Sequence, residues 1–313
     1  MAGQKQTTLR DRVELQGIGV HSGAPVRIVL HPADVDSGIS FLRTRLDGGR
    51  ERLIQARHSA VSATELCTII GETASGAVAT IEHLMAALSG LGVDNVLVEI
   101  DGPEVPIMDG SAAPFVDAID QVGLERQGSG RRYIKILKPV RVEQGRAFSE
   151  LRPFARGFRL EVEIDFDTQL IGRQKRVLDL EPGVFRRDIA RARTFGFMKD
   201  VERLWKAGFA LGASLDNTVA LGDEGVINPE GLRFADEFVR HKTLDAVGDL
   251  SLAGSPILGC YRSYCGGHRM NVAVLQALFA DRSNYAIVEN GRRETGHAES
   301  AARPALAFAA ETN

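Results

Sequence analysis

Short segments of alternating apolar and polar residues occupy the first hundred positions of the chain. Residues 25–31 alternate in the manner of a half-buried β-strand, and residues 93–100 predict another strand. Between them, the apolar residues of segment 80–88 have helical spacing, with Thr80 as the expected N-cap and Gly90 as the expected stop. The pattern therefore predicts short strands followed by one well-defined helix.

The same patterns divide the chain into two parts. Helical spacing over residues 112–122 closes the first part, and the small residues at 127–130 are the best candidate for a linker. We therefore predict an N-terminal domain over residues 1–127 and a C-terminal domain over residues 131–290. Residues 291–313 are rich in Ala and Glu, lack an amphipathic period and are expected to form a flexible tail.

The second part repeats the succession of the first. Residues 158–166 alternate as a strand, a helix is expected to end near Trp205, the helix that carries His241 follows, and residues 257–264 predict a strand. Each half thus has strands, then a helix introduced by a histidine, then a strand, which indicates a structural duplication. Strands grouped ahead of helices favour an α+β fold over a doubly wound α/β sheet.

Composition narrows the classes of protein that fit. The 313 residues are 44% hydrophobic and 25% charged, which is ordinary for a globular protein, and the formal net charge of −3 argues against a general nucleic-acid surface. Cys67, Cys260 and Cys265 are widely spaced, so a reducing compartment is expected. The N-terminus lacks an apolar signal core and no apolar run approaches the ~20 residues of a membrane helix. We therefore expect a cytoplasmic protein without a transmembrane segment.

Residues 240–249 contain the side chains that say most about the function of the chain. His241 and Asp245 are four residues apart on a predicted helix, so both side chains can converge on one metal ion. Asp249 follows one turn later, where it could orient a ligand or a catalytic histidine. A histidine and an aspartate at this spacing are also common on solvated helix surfaces. A catalytic zinc site needs a third protein ligand in addition.

Two further histidines are candidates for this site. His83 is the best third ligand, and the preceding Glu82 could act as a base, although helix dipoles also favour acids at helix starts. His268 follows two glycines after a predicted strand, which suits either a proton donor at a pocket rim or a simple turn.

The remaining histidines are assigned to structural or surface positions. These are His21, His31, His58 and His297. His21 alone lies in a tight loop, at residues 17–23, that could border a pocket.

Five blocks of the chain lie at residues 17–23, 80–88, 106–115, 192–197 and 240–249. Taken in order, these blocks resemble the UDP-3-O-acyl-N-acetylglucosamine deacetylase family. Members of this family are zinc amidases that commit the pathway to lipid A in Gram-negative bacteria. The resemblance runs from about residue 8 to residue 278.

The resemblance implies a fold and a metal. The fold would consist of two similar α+β domains, with helices packed between two outer sheets and a small insert in each domain. The resemblance also implies a Zn²⁺ ion held by His83, His241 and Asp245. Fe²⁺ is the alternative ion, because imidazole and carboxylate ligands suit several divalent cations.

The resemblance also implies catalytic roles. Glu82 would be the general base, His268 the general acid, and Asp249 the residue that orients His268. Lys242 and Thr194 match family positions near the reacting amide, where they would stabilise negative charge. Opposite protonation states of base and acid would give a bell-shaped pH profile.

The implied substrate is UDP-3-O-acyl-N-acetylglucosamine with its fatty-acyl chain. An insert at residues 201–220 would form an apolar passage for this chain, although ordinary helix packing explains any one of its apolar residues equally well. The candidate contacts are Phe195, Val201, Ala210, Ser214 and Leu215. The acyl chain also allows transient contact with a membrane surface, and the protein is expected to be a monomer.

Two positions depart from the family pattern. Cys265 stands where the family commonly has a lysine for the substrate diphosphate, and Arg262 is a possible replacement on the preceding strand. Thr168 and Gln169 replace a frequent His-Pro pair. Both changes concern contacts with the UDP-sugar and leave the metal chemistry untouched.

Two other functions make different demands on the sequence. A non-catalytic nucleotide-sugar binding protein with a structural metal would need neither Glu82 nor His268. An enzyme that uses the same fold to dehydrate acyl thioesters would be expected to carry a second domain after the deacetylase, and the sequence ends at Asn313.

Overall fold

The computed structural model describes residues 4–289. The predicted tail at residues 291–313, with His297, lies outside the described residues. In the described part of the chain, no helix is both long and apolar enough to cross a bilayer.

The first half forms nine strands and two helices. The strands are β1 (Lys5–Leu9), β2 (Val13–Ile18), β3 (Pro25–Pro32), β4 (Ile39–Leu46), β5 (Arg50–Gln55), β6 (Val61–Ala63), β7 (Ile69–Ile70), β8 (Val96–Ile100) and β9 (Leu124–Gly130). The helices are α1 (Glu82–Leu91) and α2 (Ala113–Val122).

The second half forms nine strands and four helices among the described residues. The strands are β10 (Arg132–Ile136), β11 (Val140–Gln144), β12 (Ala147–Arg152), β13 (Phe158–Asp165), β14 (Arg173–Asp179), β15 (Phe195–Phe197), β16 (Val219–Leu221), β17 (Ile257–Tyr264) and β18 (Tyr285–Glu289). The helices are α3 (Pro182–Val184), α4 (Met198–Lys206), α5 (Glu237–Ser251) and α6 (His268–Ala280).

Two large mixed sheets repeat one topology. The five-stranded sheet has the order β2-β3-β8-β4-β5, in which only the β8–β4 pair is parallel. Strands β11-β12-β17-β13-β14 of the seven-stranded sheet follow the same order, in which only the β17–β13 pair is parallel. The α+β class is confirmed, and the repeated order is what the predicted duplication requires.

Helices α1, α5 and α6 make up the interior of the molecule. Helix α1 packs along α5, α5 also contacts α6, β13 and β14, and α6 contacts β11 and β12. Every residue of α1 except Ser89 is buried, and the apolar side chains of both halves join one hydrophobic cluster. Burial of this cluster is the main source of stability, and it fixes α1 against α5.

Two local predictions are wrong. Residues 127–130 are not a linker, because they form the end of β9, which pairs with β1. Thr80 does not cap α1, because its backbone adopts a left-handed conformation (φ 55°) and its hydroxyl donates to the buried carboxylate of Glu104 at 2.8 Å. The N-cap position is held by Ile81 instead, so helix α1 begins at Glu82, one residue later than a Thr80 cap predicts.

Gly248 sets the distance between the two central helices. A Cβ atom at this position would lie 2.0 Å from the backbone oxygen of Glu82, a separation that no real Cβ contact has. The absent side chain therefore allows the C-terminal part of α5 to touch the first turn of α1.

We predict that Gly248→Ala destabilises the protein. Alanine gains about 1 kcal/mol of helix propensity over glycine, but forced overpacking against backbone typically costs about 1–3 kcal/mol or more. The denaturant midpoint of unfolding should therefore fall. Gly183→Ala is the matched control, since no atom lies within 4 Å of its added Cβ. A midpoint for Gly248→Ala at or above the wild-type value would contradict the proposed contact.

Candidate metal centre

Three buried side chains meet where α1 crosses α5. His83 is the second residue of α1, and His241 and Asp245 lie one turn apart on α5. Their ligand atoms all lie within 4.8 Å of one another. Asp245 Oδ1 is 3.3 Å from His241 Nε2 and 3.7 Å from His83 Nε2. The structure thus brings together the three residues that the sequence selects as metal ligands.

The protonation states of these side chains suit a cation. Burial lowers the pKa of His83 to about 3 and also lowers the pKa of His241, so both imidazoles are neutral near pH 7. Burial opposes ionisation of Asp245, but the adjacent His241 ring and the positive charge of Lys242 hold the pKa of this carboxyl well below its usual range. Two neutral imidazoles and one carboxylate are a donor set that Zn²⁺ and Fe²⁺ accept.

The hydrogen bonds of His241 and Asp245 leave one potential ligand atom of each side chain free to bind an ion. His241 Nδ1 lies 3.0 Å from the carbonyl oxygen of Ala192 and donates to it, so its Nε2 lone pair faces Asp245. Asp245 Oδ1 is buried and accepts no hydrogen bond from any described residue. A buried carboxylate oxygen without a donor is costly unless a cation compensates it, and the site therefore fits a metal ion.

A buried ion pair holds the Ala192 carbonyl in place. The backbone N–H of Arg193 donates to Glu237 Oε1 at 3.0 Å, and its guanidinium Nε donates to the same oxygen at 2.9 Å. Glu237 lies one turn before His241 on α5, so a single helix supplies both the ligand and the anchor for the segment that orients it.

Glu82 and His268 face each other beside the three ligands. Glu82 Oε1 is 3.8 Å from His268 Nε2. Burial raises the pKa of Glu82 to about 7. Burial opposes protonation of His268, but the carboxylates of Asp249 and Glu82 outweigh this effect and raise its pKa to about 9. Between these values Glu82 is mostly ionised while His268 keeps its proton.

Asp249 is held by three hydrogen bonds. Its Oδ2 accepts from His268 Nδ1 at 2.9 Å and from Asn271 Nδ2 at 2.8 Å, and its Oδ1 accepts from the Thr68 hydroxyl at 2.6 Å. The Asn271 side-chain carbonyl in turn accepts from the Tyr261 hydroxyl, which fixes the orientation of the amide. The contact between Asp249 and His268 is the one that the predicted orienting role requires.

Three other predicted residues lie next to this cluster in space or in sequence. Lys242 Nζ donates to Asp245 Oδ2 at 2.9 Å and lies 5.7 Å from the centre of the Phe195 ring. Phe195 also packs edge-on against His241, with 6.2 Å between ring centres. Thr194 is half-buried, immediately before Phe195, and its backbone N–H donates to the carbonyl of Gly110 at 2.8 Å.

Four of the five predicted acyl-chain residues lie on the insert at residues 201–220, which is largely exposed. Val201 is on α4, and Ser214 and Leu215 lie in the loop that leads to β16. The backbone N–H of Ala210 points at His21 Nδ1, 3.4 Å away, and the carbonyl of His21 accepts from the N–H of Leu211 at 3.1 Å. The loop of the first half that carries His21 therefore contacts the insert of the second half.

Arg262 is poorly placed to replace the missing diphosphate lysine. Its guanidinium donates to Glu161 at 3.1 Å and to Glu150 at 3.3 Å. Side chains alternate along β17, so Arg262 lies on the opposite face from Tyr261, whose hydroxyl reaches the Asp249 network through Asn271. The hypothesis that Arg262 substitutes for this lysine is not supported.

Sequence reasoning missed four parts of the site. These are Thr68, Asn271, the carbonyl of Ala192 and the Arg193–Glu237 pair. Thr68 lies in a stretch without apolar periodicity, and a carbonyl group leaves no mark in a sequence. Glu237 alone had a usable signal, since it precedes His241 by one helical turn.

Comparisons with known proteins agree along most of the chain. A family model described as UDP-3-O-acyl N-acetylglycosamine deacetylase matches residues 6–280. Proteins named UDP-3-O-acyl-N-acetylglucosamine deacetylase from Brucella ovis and Brucella canis are 54% identical over 285 residues, which cover 91% of this chain and 98% of each relative. A protein of the same name from Brucella melitensis biotype 2 is 53% identical over the same shares.

We predict that the three cluster residues hold a divalent ion and that Glu82 does not. His83→Ala, His241→Ala and Asp245→Ala should each weaken metal binding by more than the roughly 10–100-fold typical of changes to residues that merely orient a ligand. Glu82→Gln, the matched control beside His83, should retain the ion. Elemental analysis after dialysis measures both outcomes. Full metal retention by any of the three alanine variants would exclude that residue as a ligand.

Proposed function

The chain belongs to the UDP-3-O-acyl N-acetylglycosamine deacetylase family, and we propose that it acts as a metal-dependent amidohydrolase with His83, His241 and Asp245 as ligands. It removes the N-acetyl group of UDP-3-O-acyl-N-acetylglucosamine, giving UDP-3-O-acyl-glucosamine and acetate, the committed step of lipid A biosynthesis. The observation that carries the mechanism is the buried Glu82–His268 pair beside this cluster. A structural metal site in a non-catalytic binding protein would need neither side chain.

Zn²⁺ is the proposed ion, with Fe²⁺ as the alternative. When bound, such a cation acts as a Lewis acid that acidifies water and polarises the amide carbonyl. The neutral imidazoles of His83 and His241 and the ionised Asp245 support this assignment. Lys242 compensates part of the negative charge on Asp245 through its 2.9 Å contact.

Glu82 is the proposed general base. Its carboxylate takes the proton of the attacking water at Oε1, since Oε2 already accepts a hydrogen bond from the backbone of Thr68. A base is most effective when its pKa lies near the working pH, and burial raises the pKa of Glu82 to about 7.

His268 is the proposed general acid. Its Nδ1 donates to Asp249 at 2.9 Å, which leaves the protonated Nε2 to deliver a proton to the departing amine. Protonation of this nitrogen matters because an amine anion is a very poor leaving group. Asp249 keeps the ring in this orientation and raises its pKa, so His268 enters the reaction charged.

Developing negative charge on the amide oxygen also needs stabilisation. Lys242 Nζ and the Thr194 hydroxyl are the proposed donors, with protonated His268 as a further positive charge. Lys242 Nζ lies 2.9 Å from Oδ2 of the proposed ligand Asp245, so the positive charge of Lys242 lies close to the proposed metal site.

The insert is proposed to receive the acyl chain. Phe195, Val201, Ala210, Ser214 and Leu215 are the candidate contacts. Exposed apolar side chains on this insert support the assignment, among them Trp205 (54% exposed), Leu211 (55%) and Leu215 (41%). We further propose a cytoplasmic monomer that makes transient contact with a membrane surface and, at a net charge of −3, does not bind nucleic acid.

We predict that Glu82→Gln abolishes most turnover without loss of the ion. Replacement of a general base by an amide of the same size typically lowers kcat by about 10²–10⁴-fold. Acetate release from UDP-3-O-acyl-N-acetylglucosamine measures the rate, and metal content and circular dichroism confirm an intact site. Near-normal turnover in this variant would show that another group takes the water's proton.

We predict a bell-shaped dependence of kcat/KM on pH. The rate should fall below about pH 7 as Glu82 gains a proton, and above about pH 9 as His268 loses one. A bound cation favours the deprotonated forms, so each limb is expected at or below these values. Asp249→Asn removes a charge that raises the pKa of His268 and should move the basic limb to lower pH. A basic limb unchanged in Asp249→Asn would contradict its assignment to His268.

A further inference from the structure

Thr68 contacts both carboxylates of the proposed acid–base machinery. It immediately precedes β7 in the first half and has no exposed surface. Its backbone N–H donates to Glu82 Oε2 at 3.1 Å, and its hydroxyl donates to Asp249 Oδ1 at 2.6 Å. One residue therefore joins the side chain of the base, on α1, to the side chain that orients the acid, on α5.

The contact with Glu82 selects the oxygen that remains for chemistry. An ionised carboxylate only accepts hydrogen bonds, and the Thr68 N–H engages Oε2. Oε1 is then the oxygen that faces His268 Nε2, at 3.8 Å. The gap between these atoms exceeds a hydrogen bond, so the two groups face each other without a direct contact.

The contact with Asp249 fixes the other end of this arrangement. His268 and Asn271 both donate to Oδ2, and the Thr68 hydroxyl alone among the described contacts engages Oδ1. A carboxylate held at one oxygen can rotate about that oxygen, whereas donors on both oxygens fix its plane. The imidazole of His268 follows Asp249 because its Nδ1 is bonded to it.

We propose that Thr68 is a positioning residue that sets the distance between Glu82 and His268, because its backbone N–H holds Glu82 and its hydroxyl holds Asp249. The inference rests on the proposed function, because it assigns Glu82 and His268 to base and acid. In the arrangement above, Thr68 has no role in holding the ion or the substrate. Its loss should therefore lower kcat while KM and metal content stay unchanged. A misplacement of about 1 Å at a reacting centre can cost ~10²-fold in rate.

The test compares variants that differ at the hydroxyl. Thr68→Val keeps the shape and the backbone N–H but removes the donor to Asp249, and we expect kcat to fall by roughly 10- to 100-fold. Thr68→Ser restores the hydroxyl and should recover a rate close to wild type. The matched control is Thr8→Val, which removes another buried hydroxyl, bonded to the Asn95 carbonyl at 2.7 Å, on a strand of the small β1–β9 sheet. Its kcat should not change.

Several results would overturn the proposal. The first is a kcat of Thr68→Val equal to that of Thr8→Val, and the second is a kcat of Thr68→Ser as low as that of Thr68→Val. The third is a loss of bound metal from Thr68→Val that accounts for its lower kcat. If Thr68→Val does not fold, Thr68→Cys takes its place, since a thiol is a weak donor. Its kcat should then lie below that of Thr68→Ser, and an equal rate contradicts the role of the hydroxyl.

A crystal structure of Thr68→Val separates this inference from the proposed function. If the wild-type protein releases no acetate from its proposed substrate, the proposed function fails whatever Thr68 does. The separation of Glu82 Oε1 and His268 Nε2 in the variant still decides the structural claim. A separation that stays at 3.8 Å, with Asp249 unmoved, overturns the positioning role.

Discussion

The close contact between α1 and α5 is the constraint on which the rest of the site depends. Gly248 lets α5 approach the backbone of Glu82, and this approach places His83 beside His241 and Asp245. The same contact sets the burial that keeps both imidazoles neutral and raises the pKa of Glu82 to about 7. Helix packing and the electrostatics of the site therefore have one cause, since a wider gap would admit water and return these groups towards their ordinary pKa values.

Much of this arrangement could be predicted from the sequence, because it depends on periodic patterns. Spacing of four residues placed His241 and Asp245 on one helical face, and alternation located β13 and β17 to within one residue. The third proposed ligand, His83, depends on its place at a helix start beside Glu82 and on the resemblance, since nothing local shows that α1 meets α5. The α+β class followed from the order of strands and helices, whereas the topology of the two large sheets did not.

What could not be predicted depends on contacts between distant segments. Thr80 has the chemistry of an N-cap, but a left-handed backbone and the buried carboxylate of Glu104 give its hydroxyl a different partner. Residues 127–130 have the composition of a linker, yet pairing with β1 draws them into a strand. Thr68 and Asn271 reach Asp249 only after the fold has formed. In each case tertiary hydrogen bonding overrides local preference.

The origin of the proposed metal ligands in both halves of the chain has a thermodynamic consequence. His83 and His241 are far apart in sequence, so an ion that bridges them closes a long loop and acts as a cross-link between the segments that carry them. Such an ion would bind the native state in preference to the unfolded chain, and the stability gained would grow with its free concentration relative to the dissociation constant. Chelation would therefore do more than halt turnover, because it would loosen the junction of the two central helices and lower the cooperativity with which the halves unfold.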